Sequence, residues 1–135
     1  MEKHFKLITP VYNAEKWIGK CIQSVKDQTH SNFTQIIVDD CSTDETITAA
    51  KEAIGEDPRF VLIEKEEKTG TLHGHILAGE HNYSEDDFFV HLDGDDWFSD
   101  ENVLSRLNRI YDDENTWCTY GNYETTDDTL SVNKH

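Results

Sequence analysis

The sequence predicts an α/β fold, a mostly parallel sheet flanked by helices on both faces. Two observations carry that expectation. Strand-sized apolar runs alternate along the chain with segments whose apolar residues recur at helical spacing, and a strand–helix–strand order packs as parallel βαβ units. Three polar motifs then fall at the ends of predicted strands: TPVYN, DDCSTDE and DGDD. Sheets of this kind hold ligands at the carboxyl ends of their strands.

HFKLIT, residues 4–9, reads as a buried strand. Residues 14–28 carry Trp17, Ile18, Cys21, Ile22 and Val25 at helical spacing, with Asn13 as the expected N-cap. FTQIIVD, residues 33–39, is a second strand. Ser42 to Glu45 matches a capping box, with Ser42 as cap and Glu45 reaching back. The helix it opens buries Ile47, Ala50 and Ile54 and stops at Gly55. Residues 59–64 form a third strand, and residues 71–81 a helix weakened by Gly74 and Gly79. Residues 86–93 are a fourth strand and 100–113 an amphipathic helix, with Val103, Leu104, Leu107, Ile110 and Tyr111 on one side. TWCTYGNY, residues 116–123, is expected as a fifth strand, and the segment after residue 124 is polar without a period.

One domain suits 135 residues. A formal charge of -16 argues against nucleic acid and against an anionic membrane surface, both of which attract Lys and Arg. No apolar run approaches the ~20 residues of a transmembrane helix, and the N-terminus lacks a signal-peptide core. Cys21, Cys41 and Cys118 are odd in number and widely spaced, which favours a reducing, cytoplasmic setting.

Asp93, Asp95 and Asp96 stand within four residues in FFVHLDGDDWF. Carboxylates that close repel unless a positive partner sits between them, and oxygen-rich sites suit Mg2+ or Mn2+. Asp93 and Asp95, at i and i+2, can face one side at a strand end, with Gly94 allowing close approach. A metal there would let an acidic protein bind a diphosphate. The plainer alternative is an acidic turn with a helix cap. Asp39 and Asp40 end the second strand, where a carboxylate can accept from the ring N–H of uracil or guanine. A turn with an N-cap explains Ser42 and Glu45 but not this pair.

The block ITPVYNAEKWIGKCIQSVKDQTHSNFTQIIVDDCSTDET resembles the opening of the family 2 glycosyltransferases of the GT-A (Rossmann-like) fold. Their pattern runs strand, P-x-Y-N, a helix ending in S-x-x-x-Q-T, then hhVDDxSxDxT. FFVHLDGDDWF followed by DENVLSRL resembles their hhxLDxDD metal motif and the helix after it. The match runs from about residue 5 to 123. The resemblance implies that Pro10, Val11, Tyr12 and Asn13 line the base and ribose, and that Asp40 holds the nucleobase, usually uracil. It implies Asp93 as a ribose or metal-shell carboxylate, Asp95 as the direct metal ligand, and Asp96 as a helper or cap. Gly70 and Gly79 match glycines that frame the family's middle segment, although the spacing here is one residue longer. The family's Arg-Asn pair is absent from that segment, and His73 or His75 stands in its place as a pH-dependent phosphate contact. As a zinc pair these two histidines diverge at i and i+2 on a helix, with no third ligand near.

Family members are longer, and their second half supplies the acceptor pocket and a general base. Asp127 and Asp128 come too early in the chain for that role. The expectation is therefore a fold truncated to its nucleotide-sugar-binding half, over residues 1–124, with a polar tail at 125–135. Its expected function is to bind a nucleotide-diphosphate sugar, UDP-sugar first, through Mn2+ or Mg2+. The transfer it would serve is an inverting one to an acceptor hydroxyl, with the catalytic base unassigned. The alternative is a non-catalytic nucleotide-sugar-binding module, or a fragment needing a partner chain or a homo-oligomer. A phospho-acceptor receiver domain is a further rival, but it needs a late strand-end lysine, and the only Lys after Asp93 is Lys134.

Overall fold

The computed structural model describes residues 2–126 and 132–133. Four strands, β1 (Phe5–Val11), β2 (Phe33–Asp39), β3 (Phe60–Glu64) and β4 (Phe88–His91), make one parallel sheet in the order β3-β2-β1-β4. Between and after them run α1 (Ile18–Lys26), α2 (Thr46–Ile54), α3 (Thr71–Glu80) and α4 (Val103–Ile110). The α/β expectation holds. The chain winds outward from β1 to β3, then returns to place β4 on the other side of β1. A receiver-type sheet would need β1 between β2 and β3. Here β2 holds that middle place, so the receiver reading falls.

Reversing the winding while keeping right-handed crossovers puts the returning helix on the opposite face. The core divides accordingly. Phe5, Leu7, Phe33 and Ile37 pack with Ile18, Ile22 and Val25 of α1, Ala50 of α2 and Leu104 of α4. Ile36 and Val38, with the partly buried Ile8, pack with Ala78 and Leu77 of α3 on the other face. Both faces of β1 and β2 are covered, which is why they read as nearly unbroken apolar runs.

Several local expectations are corrected. Asn13 does not cap α1, which starts at Ile18 after a turn at Glu15–Trp17. Asn13 instead takes a left-handed backbone (φ 48°). Its Oδ1 accepts from the Thr43 N–H at 2.8 Å and its own N–H donates to Ser42 Oγ at 3.0 Å. The capping box does not form either. Ser42 Oγ donates to Asp39 Oδ1, α2 starts at Thr46, and the Glu45 N–H donates to Glu15 Oε2. Both motifs are spent on tying the β1–α1 loop to the β2–α2 loop. Gly55 does end α2, with φ 60°. α4 is shorter than residues 100–113, and Ile110 is exposed rather than packed. Residues 116–123 are not a strand, and Trp117, Tyr120 and Tyr123 are exposed. Beyond them Thr125–Thr126 (β5) pairs antiparallel with Val132–Asn133 (β6).

One buried charge lies far from the predicted motifs. Lys6, on β1, is 2% exposed. Its Nζ donates to the His81 carbonyl at 2.6 Å and the Asn82 carbonyl at 3.1 Å, and lies 3.1 Å from Asp87 Oδ2. His4 Nδ1 meets the other Asp87 oxygen at 2.7 Å. Three backbone or carboxylate acceptors thus fix the α3–β4 connection to the amino half of β1.

Candidate functional site

The reversal of winding leaves a crevice at the carboxyl ends of β1 and β4, the place where such sheets open for ligands. A cleft of about 330 Å³ lies there, within the size range of small-molecule sites. β1 contributes Pro10 and Val11 and its loop Tyr12 to Ala14. β2 contributes Val38 and Asp40, the start of α3 contributes Gly70, Thr71 and Gly74, and the β4 loop contributes Asp93, Gly94 and Asp95. Eight sequence-predicted residues therefore meet in one cavity: Pro10, Val11, Tyr12, Asn13, Asp40, Gly70, Asp93 and Asp95.

His75 is not among the lining residues. Its Nε2 lies 3.0 Å from Nε2 of His91, and that atom lies 2.9 Å from Asp93 Oδ1. Burial and the neighbouring His91 lower the His75 pKa, with Asp93 opposing, so the ring tends to be neutral near pH 7. A fixed cation in place of the missing Arg is thus not what His75 supplies. His73 turns to Thr69, with Nδ1 2.5 Å from its Oγ1. No sequence motif singles out His91. It stands two residues before Asp93 on a strand, and the period of two puts both on one face.

Asp93, Asp95 and Asp96 each place a carboxylate oxygen within 4.8 Å of the others. Burial and then the charges of Asp95 and Asp93 raise the Asp96 pKa, the response of a carboxylate crowded by its own kind. Asp96 is accordingly a member of the cluster. Hard oxygen donors at this spacing fit Mg2+ or Mn2+. Gly94 is what allows the loop its position. A Cβ there would lie 2.5 Å from Val11 Cγ2 and 2.7 Å from Val11 Cβ. Gly94→Ala is expected to cost about 1–3 kcal/mol by overpacking, and to weaken Mn2+ binding as the loop shifts. Urea unfolding and a Mn2+ titration of the variant check both effects.

Asp40 is held by the β3–α3 loop. Its Oδ1 lies 2.6 Å from Lys65 Nζ and accepts from the Thr69 N–H at 3.0 Å, while its Oδ2 accepts from the Gly70 N–H at 3.1 Å. The hydrogen bond from Lys65 is the leading cause of a lowered Asp40 pKa, with burial opposing it, so the group stays ionised. Gly70 reaches this place with φ 87° and ψ 172°, a conformation almost confined to glycine. Lys68 Nζ lies 3.6 Å from the centroid of the exposed ring of Tyr12. Trp17, also in the lining, stacks against Trp97 at 6.0 Å between centroids.

The family described as Glycosyl transferase family 2 matches this chain over residues 6–135. An uncharacterized glycosyltransferase of Haemophilus influenzae is 30% identical over 121 residues, which cover 90% of this chain and 47% of that protein. Among solved structures, Staphylococcus aureus TarS in complex with UDP-GlcNAc superposes with a TM-score of 0.72 at 26% identity. The match covers 82% of this chain and 31% of that chain, which is TarS 1–349. The mannosyltransferase PcManGT of Pyrobaculum calidifontis, in complex with GDP-Man and Mn2+, has the same fold. Its TM-score is 0.68 at 24% identity, covering 80% of this chain and 31% of that one. The chain thus spans less than half the length of these relatives. With the β3-β2-β1-β4 sheet and the cleft at its switch point, these likenesses identify a GT-A fold, and the chain belongs to glycosyl transferase family 2.

Proposed function

We propose that this domain is the donor-binding half of an inverting glycosyltransferase, taking a UDP-sugar with Mn2+ or Mg2+. One observation carries the reading: a single cleft is lined by a loop-braced carboxylate, Asp40, and by Asp93 and Asp95 of a carboxylate cluster. A nucleoside diphosphate has matching parts, a base with ring N–H groups and an anionic diphosphate. Asp40 accepts from the base, the Pro10 to Asn13 loop borders the base and ribose, and Thr71 at the start of α3 offers its N–H to the anionic part of the ligand, the Gly70 N–H being taken by Asp40. Asp93 and Asp95 would hold the cation, with Asp96 beside them. When bound, a divalent cation stabilises the departing nucleoside diphosphate and orients it. TarS, whose structure contains UDP-GlcNAc, supports UDP as the first nucleotide to test.

In-line attack at the anomeric carbon also needs a base to deprotonate the acceptor hydroxyl. Asp127 and Asp128 lie outside the described residues. A second reading, that this donor half works with a further polypeptide segment or chain, is favoured by exposed apolar surface. Trp117, Tyr120 and Tyr123 are exposed, and Phe89 is half-exposed on the edge strand β4. Among the described residues no helix is long and apolar enough to cross a membrane. Cys21, Cys41 and Cys118 are free thiols, consistent with the cytoplasmic setting proposed here.

The test is calorimetry of UDP and of a UDP-sugar with Mn2+, then with a chelator. Binding is expected with metal and loss of about tenfold or more without it, given a metal bridge to a diphosphate. Equal affinity in both conditions would remove the bridge.

A further inference from the structure

Lys65 follows β3 by one residue. The β2–β3 register pairs Asp39 with Glu64, so the next step sets Lys65 beside Asp40. The Lys65 side chain is 4% exposed. Its Nζ lies 2.6 Å from Asp40 Oδ1, 2.8 Å from Thr69 Oγ1 and 3.0 Å from the Gly70 carbonyl. An ammonium has three hydrogens, and these acceptors use all of them. Lys65 has no donor left for a ligand.

The carboxylate it grips is almost as fully engaged. Oδ1 takes Lys65 and the Thr69 N–H, and Oδ2 takes the Gly70 N–H, with a longer 3.3 Å approach of that N–H to Oδ1. An ionised carboxylate has about four lone-pair sites. Three are taken, which leaves one on Oδ2 of a residue that lines the cleft.

We propose that Lys65 is the positioning residue for base selection: it pins Asp40 and the 65–70 loop so that one acceptor alone is left for the ligand. A single acceptor admits a base that presents a ring N–H, as uracil and guanine do, and refuses cytosine, whose corresponding ring nitrogen is itself an acceptor. This rests on the donor-site reading given above. Lys65 also borders the cleft, but its three hydrogens are engaged within the protein, so it has none to give the nucleotide. It acts through Asp40, whose charge and rotamer it fixes. Without it, a mostly buried carboxylate is left short of a partner and gains a proton more readily. A protonated Asp40 can donate, and discrimination against cytosine then fades.

The experiment compares UDP and CDP affinities, with Mn2+ present, for the wild type, Lys65→Met and Lys65→Gln. Thermal melts report whether each variant folds. The wild type is expected to prefer UDP. Lys65→Met is expected to lose about tenfold in UDP affinity, the scale of a lost charge-assisted contact, and the UDP/CDP ratio is expected to shrink toward one. Lys65→Gln keeps donors but no charge, and should fall between the two. If both variants bind more weakly but keep the wild-type UDP/CDP ratio, Lys65 merely supports the loop and the inference is overturned. Unchanged affinities would overturn it as well. A wild type that does not distinguish UDP from CDP would sink the base role of Asp40 itself, a separate failure seen before any variant is compared.

Discussion

Asp95→Asn is expected to abolish the Mn2+ dependence of donor binding, with at least ~10²-fold loss of cation affinity, since even residues that only orient a ligand carry 10–100-fold. The argument starts from repulsion. Three carboxylates within 4.8 Å raise the pKa of Asp96, because burial and its two neighbours all disfavour a third charge. No lysine or arginine makes an ion pair with them among the described residues, where Asp93 meets only His91. A cation relieves that repulsion, so its removal and the removal of one charge have opposite consequences. Asn keeps the shape of Asp95 and loses the charge. Without metal, Asp95→Asn should melt at or slightly above the wild-type temperature, since one like-charge contact is gone. With Mn2+ the wild type should rise and the variant should not. Melting curves with and without Mn2+, together with a direct Mn2+ titration by electron paramagnetic resonance, separate the two effects. Equal Mn2+ stabilisation of both proteins would take Asp95 out of the site.

The parts of this site that were legible in the sequence are those set by local pattern. Strand-sized apolar runs ended in Pro10 to Asn13, Asp40 and Asp93 to Asp95, and parallel pairing brought those ends together. What sequence did not disclose depends on partners from elsewhere. Asn13 and Ser42 carry cap chemistry, but each found its partner in the neighbouring loop, so helix starts were misplaced. Lys65 lies in the charged run EKEEK, residues 64–68, a pattern usual on solvated faces, and only the register beside Asp40 gives it a role. His75 is close to His73 in sequence, whereas its side-chain neighbour is His91 on β4. Residues 116–123 have the composition of a strand, yet strand preference is largely packing against neighbours, and Trp117, Tyr120 and Tyr123 stay exposed.

Asp87→Ala is expected to destabilise the fold by about 3–5 kcal/mol, the cost of leaving a buried charge unpaired. The Asp87 side chain is 5% exposed and that of Lys6 2%. Removing the carboxylate leaves Lys6 with the His81 and Asn82 carbonyls, which satisfy hydrogens but do not neutralise charge. Asp87→Asn should cost less, because an amide oxygen still accepts from Lys6. Burial works against the Asp87 charge, but hydrogen bonds from His4 and Lys6 prevail and lower its pKa. A carboxyl with a depressed folded pKa contributes stability that is full above its unfolded value and is lost as pH falls through the folded one. The wild type should therefore lose stability on acidification below about pH 4, the ordinary carboxylate range, and Asp87→Ala should lose less over the same interval. Urea midpoints at pH 7 and at stepwise lower pH measure both effects. The pair sits at the amino half of β1, away from the cleft, so UDP affinity at pH 7 and low temperature should survive in any folded Asp87 variant. A variant as stable as the wild type would show that the two buried charges do not depend on each other.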